Sequence, residues 1–169
     1  TRLKKLLEQK EKSRKAGKSR KAGIKKEDMQ AVIIGRTNSG KSSLLNAFAN
    51  TGLKISPASF STTSPNIGTL KYNGANIQII ENPAIESEYY DRGIAHTTDT
   101  LLVLIASLDE LGDIEKRLEG SNKNKIIVFN KCDLLDENEK RRLNATLQSK
   151  KHNFSIISAL CSVIYLQNP

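Results

Sequence analysis

The sequence predicts an α/β domain of three layers, in which a mostly parallel six-stranded sheet lies between helices. Short apolar runs typical of buried strands alternate with helix-forming stretches, which indicates parallel strands joined by crossover helices. An Asn-Gly pair at 73–74 separates two of these runs and favours a tight hairpin, so we expect one antiparallel edge pair. The predicted strands are 30–34, 67–72, 76–81, 101–105, 126–129 and 154–157, and the predicted helices are 41–50, 88–98, 108–119 and 136–150.

The first motif spans residues 35–42, which read Gly-Arg-Thr-Asn-Ser-Gly-Lys-Ser and follow the apolar run 31–34. Its two glycines let the backbone curl so that N–H groups point at phosphate oxygens. Lys41 adds a full charge for the β- and γ-phosphates, and the Ser42 hydroxyl suits Mg²⁺. A chance Gly-rich turn would not need a strand before it and a helix after it, so the pattern predicts a P-loop NTPase. The residues expected to bind phosphate are Asn38, Ser39, Gly40, Lys41, Ser42 and Ser43.

A second motif, Asn-Lys-Cys-Asp at 130–133, directly follows the apolar run 126–129. A carboxylate at Asp133 accepts hydrogen bonds from both N1–H and the exocyclic amine of guanine, whereas adenine offers neither donor at those positions. The structural alternative is that Asp133 is the N-cap of a helix. A third run, 154–157, precedes a Ser-Ala-Leu segment whose N–H groups suit guanine O6. The residues expected to recognise guanine are Asn130, Lys131, Asp133, Ser158, Ala159 and Leu160.

With these motifs, the chain resembles translation-factor-related GTPases of the Obg/DRG and HflX group, and its phosphate loop is also similar to those of Era and MnmE. Residues 60–68, Phe-Ser-Thr-Thr-Ser-Pro-Asn-Ile-Gly, resemble the Obg-type switch I. The resemblance covers residues 30–160 and implies a G domain that hydrolyses GTP. It also implies that Thr62 closes over Mg²⁺ and the γ-phosphate. Related proteins often continue into a TGS domain, so we expect the G domain at 29–169 to be truncated before a C-terminal helix or TGS-like domain.

One motif departs from the family pattern. Where such GTPases carry Asp-x-Pro-Gly, this chain carries Glu-Asn-Pro-Ala at 81–84. We expect Glu81 to contact Mg²⁺ through a water and the Ala84 N–H to face the γ-phosphate. Ile85 stands where Ras has a water-orienting glutamine, and a hydrophobic side chain cannot polarise water. Glu81, Ala84 and Ile85 together predict slow hydrolysis, and the resemblance implies that Lys41 and Thr62 are catalytic residues.

Asn38 is the third candidate catalytic residue. In MnmE-like GTPases an asparagine at this loop position helps to hold K⁺ beside the phosphates, where an arginine finger would otherwise insert. The resemblance thus implies a K⁺ site at Asn38. The alternative is an ordinary polar loop residue favoured by turn geometry.

The basic charge of the chain is concentrated at its start. Residues 1–26 contain twelve Lys or Arg and two acidic residues, a net charge of +10, whereas the whole chain carries +9. A hexapeptide, Lys-Ser-Arg-Lys-Ala-Gly, occurs twice in tandem at 12–17 and 18–23. Such a segment cannot bury a core, so we expect residues 1–28 to be a basic arm that is helical or disordered. Its charge suits RNA or a ribosomal surface; an anionic membrane surface and a solubilising tail are the alternatives.

Together these features predict a GTP- and GDP-binding switch with slow Mg²⁺-dependent hydrolysis that acts on the ribosome or RNA in the cytoplasm. The alternatives are a non-hydrolysing RNA adaptor gated by guanine nucleotide and, more remotely, a nucleotide kinase. No run approaches the roughly 18 apolar residues of a membrane span, so we expect no membrane insertion. Neither cysteine lies in a metal-binding spacing, which predicts free thiols at Cys132 and Cys161. The sequence makes no prediction of oligomeric state.

Overall fold

The computed structural model describes residues 24, 26–49, 62–149, 153–159 and 163–167, the last segment by its backbone alone. The strands are β1 (Met29–Gly35), β2 (Asn66–Tyr72), β3 (Ala75–Glu81), β4 (Thr100–Ile105), β5 (Asn124–Phe129), β6 (Asn153–Ser158) and β7 (Val163–Gln167). The helices are α1 (Lys41–Ala49), α2 (Arg92–Thr97), α3 (Asp109–Arg117) and α4 (Glu137–Ser149), with a short 3-10 helix at Cys132–Leu134. Most of the predicted arm and residue Leu160 lie outside the described residues.

The strands form one sheet in the order β2-β3-β1-β4-β5-β6-β7. The central strands pair in parallel, and β2 pairs antiparallel with β3 at one edge. The hairpin between β2 and β3 turns at Asn73 and Gly74, whose φ angles of 48° and 81° are those that an Asn-Gly turn favours. The predicted α/β class, with its mostly parallel sheet and antiparallel edge pair, is therefore confirmed.

The sheet contains seven strands and not the predicted six, because β7 pairs antiparallel with β6 at the other edge. The resemblance led us to expect that the domain would be truncated before its C-terminal helix, and no strand was predicted after 154–157. Residues 163–166 read Val-Ile-Tyr-Leu, and β-branched and aromatic residues favour the pleated geometry of a strand. An antiparallel neighbour needs only a short connection, which the few residues between β6 and β7 provide.

Alternating side chains of the strands build two apolar clusters, one on each face of the sheet. The first cluster lies under α2, α3 and α4 and includes Val32, Ile34, Ile80, Leu101, Val103, Ile105, Ile127 and Phe129. The second lies under α1 and includes Ile33, Ile79, Leu104, Val128 and Ile157, with Leu44 and Leu45 from the helix. Leu102 and Ile126 extend this second face but are only half-buried. Among the described helices, none has the length and apolar character that crossing a bilayer requires.

The chain enters the domain at the amino ends of β1, β3 and β4. Ile24 packs against the first cluster, and Asp28 accepts a hydrogen bond from the Asn76 N–H at 2.9 Å. Hydrogen bonds from the Lys26 ammonium and the Gln30 N–H lower the pKa of the Asp99 carboxyl. This contact therefore stabilises the fold at neutral pH and is lost as pH falls through the lowered pKa.

Replacing Leu104 by alanine should destabilise the domain by about 2–5 kcal/mol, because the side chain is fully buried between α1 and the sheet. The matched control is Leu134→Ala, at a side chain that is 74% exposed, which should change stability by less than about 0.5 kcal/mol. Urea unfolding followed by circular dichroism measures both values. Equal losses in the two variants would contradict this account of the core.

Candidate nucleotide-binding site

The loop at residues 35–40 joins the carboxyl end of β1 to the start of α1, and close contacts require both of its glycines. A Cβ on Gly35 would lie 2.4 Å from the Leu104 carbonyl oxygen, and a Cβ on Gly40 would lie 2.2 Å from Asn130 Nδ2. Gly40 also has a φ of +94°, and Asn38 between them has a φ of 60°. Asparagine adopts this left-handed conformation more readily than most residues. The loop is therefore curled tightly against β4 and the segment after β5.

Lys41 begins α1 and is folded back over the loop. Its side chain is buried, and its Nζ donates a hydrogen bond of 2.9 Å to the carbonyl oxygen of Arg36. Burial lowers the pKa of Lys41, while the nearby carboxylates of Glu81, Glu86 and Glu110 partly offset that effect. The ammonium group thus lies at the loop, with three carboxylates nearby.

Glu81, at the end of β3, connects the phosphate loop to the segment before β2. Its side chain is 1% exposed, and Oε1 accepts hydrogen bonds from the hydroxyls of Ser42 at 2.5 Å and Thr62 at 3.3 Å. Its other oxygen accepts from Asn66 Nδ2 at 2.8 Å. The structure therefore brings together Ser42, Thr62 and Glu81, the three residues predicted around Mg²⁺. Two hydroxyls and a carboxylate form a set of oxygen ligands that fits this ion.

The segment after β3 is fastened to the phosphate loop. The Asn82 N–H donates to the Ile33 carbonyl at 3.2 Å, and the Ile85 N–H donates to the Gly35 carbonyl at 3.1 Å. Ala84 is buried and is not among the described residues with positive φ, so alanine fits here without backbone strain. The Ile85 side chain packs into the first apolar cluster, which accounts for a hydrophobic residue at this position.

Asn130 holds three loops together. Its side chain is buried; Nδ2 donates to the Ser39 carbonyl at 2.9 Å, and Oδ1 accepts from the Ala159 N–H at 2.9 Å. Its own N–H donates to the Ile105 carbonyl at 2.8 Å. The phosphate loop, the Asn-Lys-Cys-Asp segment and the segment after β6 are thereby parts of one site.

Asp133 lies in the short 3-10 helix and is exposed. The N-cap alternative for Asp133 is excluded, because another pair caps the following helix α4. The Glu139 N–H donates to the Asp136 carboxylate at 2.7 Å, and the Asp136 N–H donates to Glu139 at 2.9 Å, which is a capping box. The preceding Lys131 has φ and ψ of 62° and 30°, a backbone conformation that turns the chain at the start of the 3-10 helix.

Three residues make contacts in the site that the sequence did not predict. The Ala159 N–H, which we expected near guanine O6, donates to Asn130. Asn66 and Glu86 contribute contacts that sequence reasoning did not assign to the site. The role of Asn66 could have been predicted, because it belongs to the Pro-Asn pair of the switch I pattern. No pattern in the sequence pointed to Glu86. Cys132 is buried and forms no disulfide with the described residues, and Cys161 lies outside them.

Comparison with known proteins agrees with this geometry. Residues 30–131 match the family described as 50S ribosome-binding GTPase. GTPase Obg 2 of Anaplasma marginale is 33% identical over 135 residues, covering 69% of this chain and 41% of that protein. GTPase Obg of Pelagibacter ubique is 32% identical over 139 residues, covering 70% of this chain and 42% of that protein. The chain thus spans less than half the length of these relatives.

Solved structures give the same fold. A tyrosine-to-alanine variant of Aquifex aeolicus Era, bound to GDP and AlF4⁻, superposes with a TM-score of 0.65 at 25% identity, covering 78% of this chain and 51% of that one. Era in complex with MgGDPNP and a segment of 16S ribosomal RNA has a TM-score of 0.66 at 20% identity, covering 83% of this chain and 58% of that one. The chain belongs to the 50S ribosome-binding GTPase family and is a P-loop GTPase of the Obg and Era type.

Proposed function

We propose that this chain binds GTP and GDP with Mg²⁺, hydrolyses GTP slowly and acts as a molecular switch on the ribosome or another RNA. The observation that carries the proposal is the double hydrogen bond of Asn130 to Ser39 and Ala159. Because this side chain joins the phosphate loop to the two segments suited to guanine, one nucleotide can contact all three. The family match supports GTP as that nucleotide.

The phosphate end of the proposed site is the curled loop and the start of α1. Lys41 would leave the Arg36 carbonyl and neutralise phosphate charge, and the helix N-terminus favours an anion at the same place. The neighbouring backbone N–H groups that would contribute are those of Asn38, Ser39, Gly40, Lys41, Ser42 and Ser43. On the opposite side, the Ala84 N–H is the proposed γ-phosphate contact.

The proposed Mg²⁺ ligands are the hydroxyls of Ser42 and Thr62, supported by the carboxylate of Glu81. These residues would hold Mg²⁺, which would supply positive charge against the negative charge that develops on the phosphate oxygens. Glu81 has one methylene more than the usual aspartate, and it already reaches Ser42 at 2.5 Å. The same carboxylate orients Asn66 and Thr62, so it links the predicted switch I to the phosphate loop.

The guanine end of the proposed site centres on Asp133. Its exposed carboxylate caps no described helix and would accept hydrogen bonds from N1–H and the exocyclic amine of the base. The preceding Asn130 is held in place by its hydrogen bonds to Ser39 and Ala159. Lys131, Ser158 and Leu160 are the remaining proposed guanine contacts.

Slow hydrolysis follows from the position of Ile85. Its side chain is 5% exposed and lies in the core, so it cannot orient a water.

Asn38 is exposed, which would allow it to contact K⁺. Its left-handed backbone also accounts for an asparagine there by turn geometry alone, so the proposed K⁺ site rests on the resemblance to MnmE.

A non-hydrolysing adaptor is the second candidate function. The observation that favours it is the attachment of residues 82–86 to the phosphate loop and the core through backbone and side-chain contacts. A segment held in this way would move less when the terminal phosphate is lost. In this alternative, guanine nucleotide stabilises the domain and no turnover follows.

The basic arm is the proposed contact for RNA. Residues 1–26 carry a net charge of +10 in a chain of +9, so the remainder is nearly neutral. Lys and Arg side chains that neutralise phosphates release counterions and give affinity with little sequence preference. The family description names the 50S ribosome, which makes ribosomal RNA the proposed partner and the cytoplasm the proposed place of action.

GTP turnover should be slow and should fall by at least about 100-fold in Lys41→Ala, because the variant removes the charge that stabilises the phosphoryl group. The measurement is steady-state phosphate release with Mg²⁺ in KCl and in NaCl at equal ionic strength. Faster turnover in KCl would support the K⁺ role of Asn38, and equal rates would remove it. Tight GTP binding with turnover at the Lys41→Ala level would favour the adaptor.

Asp133→Asn should weaken GDP binding by about 100-fold or more and improve binding of xanthosine diphosphate, because an amide N–H can pair with the C2 carbonyl of xanthine. Isothermal titration with the two diphosphates measures both affinities. Asp136→Asn, the same change in the capping box of α4, is the control and should leave base preference unchanged. GDP binding by Asp133→Asn at the unaltered affinity would refute the guanine assignment.

Deleting residues 1–23 should abolish salt-sensitive RNA binding and leave GDP affinity within about twofold, since the deletion keeps the contacts of Ile24 and Lys26. Fluorescence anisotropy with a double-stranded RNA hairpin, measured across a series of NaCl concentrations, gives the affinity and its salt slope. An unchanged salt slope after deletion would show that the arm does not bind RNA.

A further inference from the structure

The peptide between Arg36 and Thr37 is hydrogen-bonded on both sides. Its carbonyl oxygen accepts from Lys41 Nζ at 2.9 Å, and its N–H donates to Glu86 Oε1 at 2.7 Å. Because the C=O and N–H of a trans peptide point in opposite directions, the ammonium and the carboxylate lie on opposite sides of one peptide group. A single peptide group therefore separates the Glu86 carboxylate from the ammonium of Lys41, which is proposed to hold phosphate.

Neighbouring contacts hold Glu86 in this position. The Ile85 N–H donates to the Gly35 carbonyl at 3.1 Å, and Arg117 Nη1 donates to the Ile85 carbonyl at 3.1 Å. The Ile85 side chain also packs in the core. The N–H, the carbonyl and the side chain of the residue before Glu86 are therefore all held in place. The second carboxylate oxygen of Glu86 is buried and makes no hydrogen bond to the described residues.

Glu86 carries a fixed negative charge at neutral pH. Burial raises the pKa of its carboxyl, but the hydrogen bond from the Thr37 N–H, together with the charge of Arg36, outweighs burial and leaves the pKa lowered. The same charge opposes the effect of burial on Lys41. An anion that contacts the Lys41 ammonium therefore also experiences repulsion from Glu86.

We propose that Glu86 is a specificity-determining residue that makes this site favour the nucleoside diphosphate over the triphosphate. The inference rests on the proposed function and deepens it. A triphosphate brings one more negative charge to the end of the site where Lys41 lies. At a separation of about 8 Å and an effective dielectric constant of about 20, one added charge changes affinity by about 30-fold.

The other carboxylates near Lys41 differ in their contacts. Glu81 accepts from Ser42, Thr62 and Asn66 and lies on the side proposed for Mg²⁺, whose charge would offset its own. Glu110 accepts from the Ala106 N–H at 3.2 Å and is the weakest of the three influences on Lys41. Of the three, Glu86 is the one that accepts from a backbone N–H of the loop at residues 35–40.

The test compares the affinities of GDP and a non-hydrolysable GTP analogue, GMPPNP, by isothermal titration with Mg²⁺ present. Glu86→Gln removes the charge and keeps an oxygen that can accept from Thr37. The variant should bind GMPPNP about 30-fold more tightly relative to GDP than the unaltered chain does. The matched control is Glu88→Gln, the same change at an exposed residue of the same segment, which should leave the ratio unchanged.

An unchanged ratio in Glu86→Gln, or an equal shift in Glu88→Gln, would overturn the inference. Thermal unfolding shows whether each variant is folded. If Glu86→Gln does not fold, Glu86→Ala is the second variant and must shift the ratio in the same direction. Failure of the unaltered chain to bind either nucleotide would refute the proposed function, which is a different result from an unchanged ratio.

Discussion

The candidate site depends on one buried side-chain amide. Asn130 hydrogen-bonds the backbone of Ser39, which is 91 positions away in sequence, and that of Ala159, which is 29 positions away. Its two hydrogen bonds therefore join the first and last thirds of the chain. A shorter side chain would leave a buried carbonyl and a buried N–H unpaired, which costs more than the bonds themselves contribute. The same amide lies so close to Gly40 that any side chain there would collide with it. Asn130 of the Asn-Lys-Cys-Asp motif thus explains why the phosphate loop has a glycine at position 40.

Glu81 has a similar organising role at the phosphate end. A single carboxylate contacts Ser42 from α1, Thr62 from the segment before β2 and Asn66 from β2 itself. Because the group is buried and accepts three hydrogen bonds, the arrangement keeps its charge satisfied inside the protein. The glutamate at this position therefore has a structural explanation: its length allows direct contact with all three partners.

Local patterns in the sequence predicted most of the sheet and both ends of the site. Apolar runs, the phosphate-loop spacing and the Asn-Gly turn are short-range signals, and the structure has the strands and helices to which they point. Strand β7 was not predicted. Its pairing with β6 is set by tertiary structure, and the resemblance to domains that end in a helix gave no reason to expect a strand there. The hydrogen bond of Glu86 to Thr37 joins residues 49 apart, and no periodicity or spacing records a contact of that kind. The same holds for the Asn82 side chain, which pairs with the backbone of Asp91.

The chain enters the fold at the amino ends of the strands, whereas the phosphate loop follows their carboxyl ends. Lys26 and Asp28 contact the starts of β4 and β3, and the length of β1, about 20 Å, separates them from Gly35. The contacts of Lys26 and Asp28 therefore leave the mouth of the nucleotide site uncovered. A substitution at this point of entry would therefore affect bound nucleotide only through the strands that separate it from Gly35, and not by direct contact.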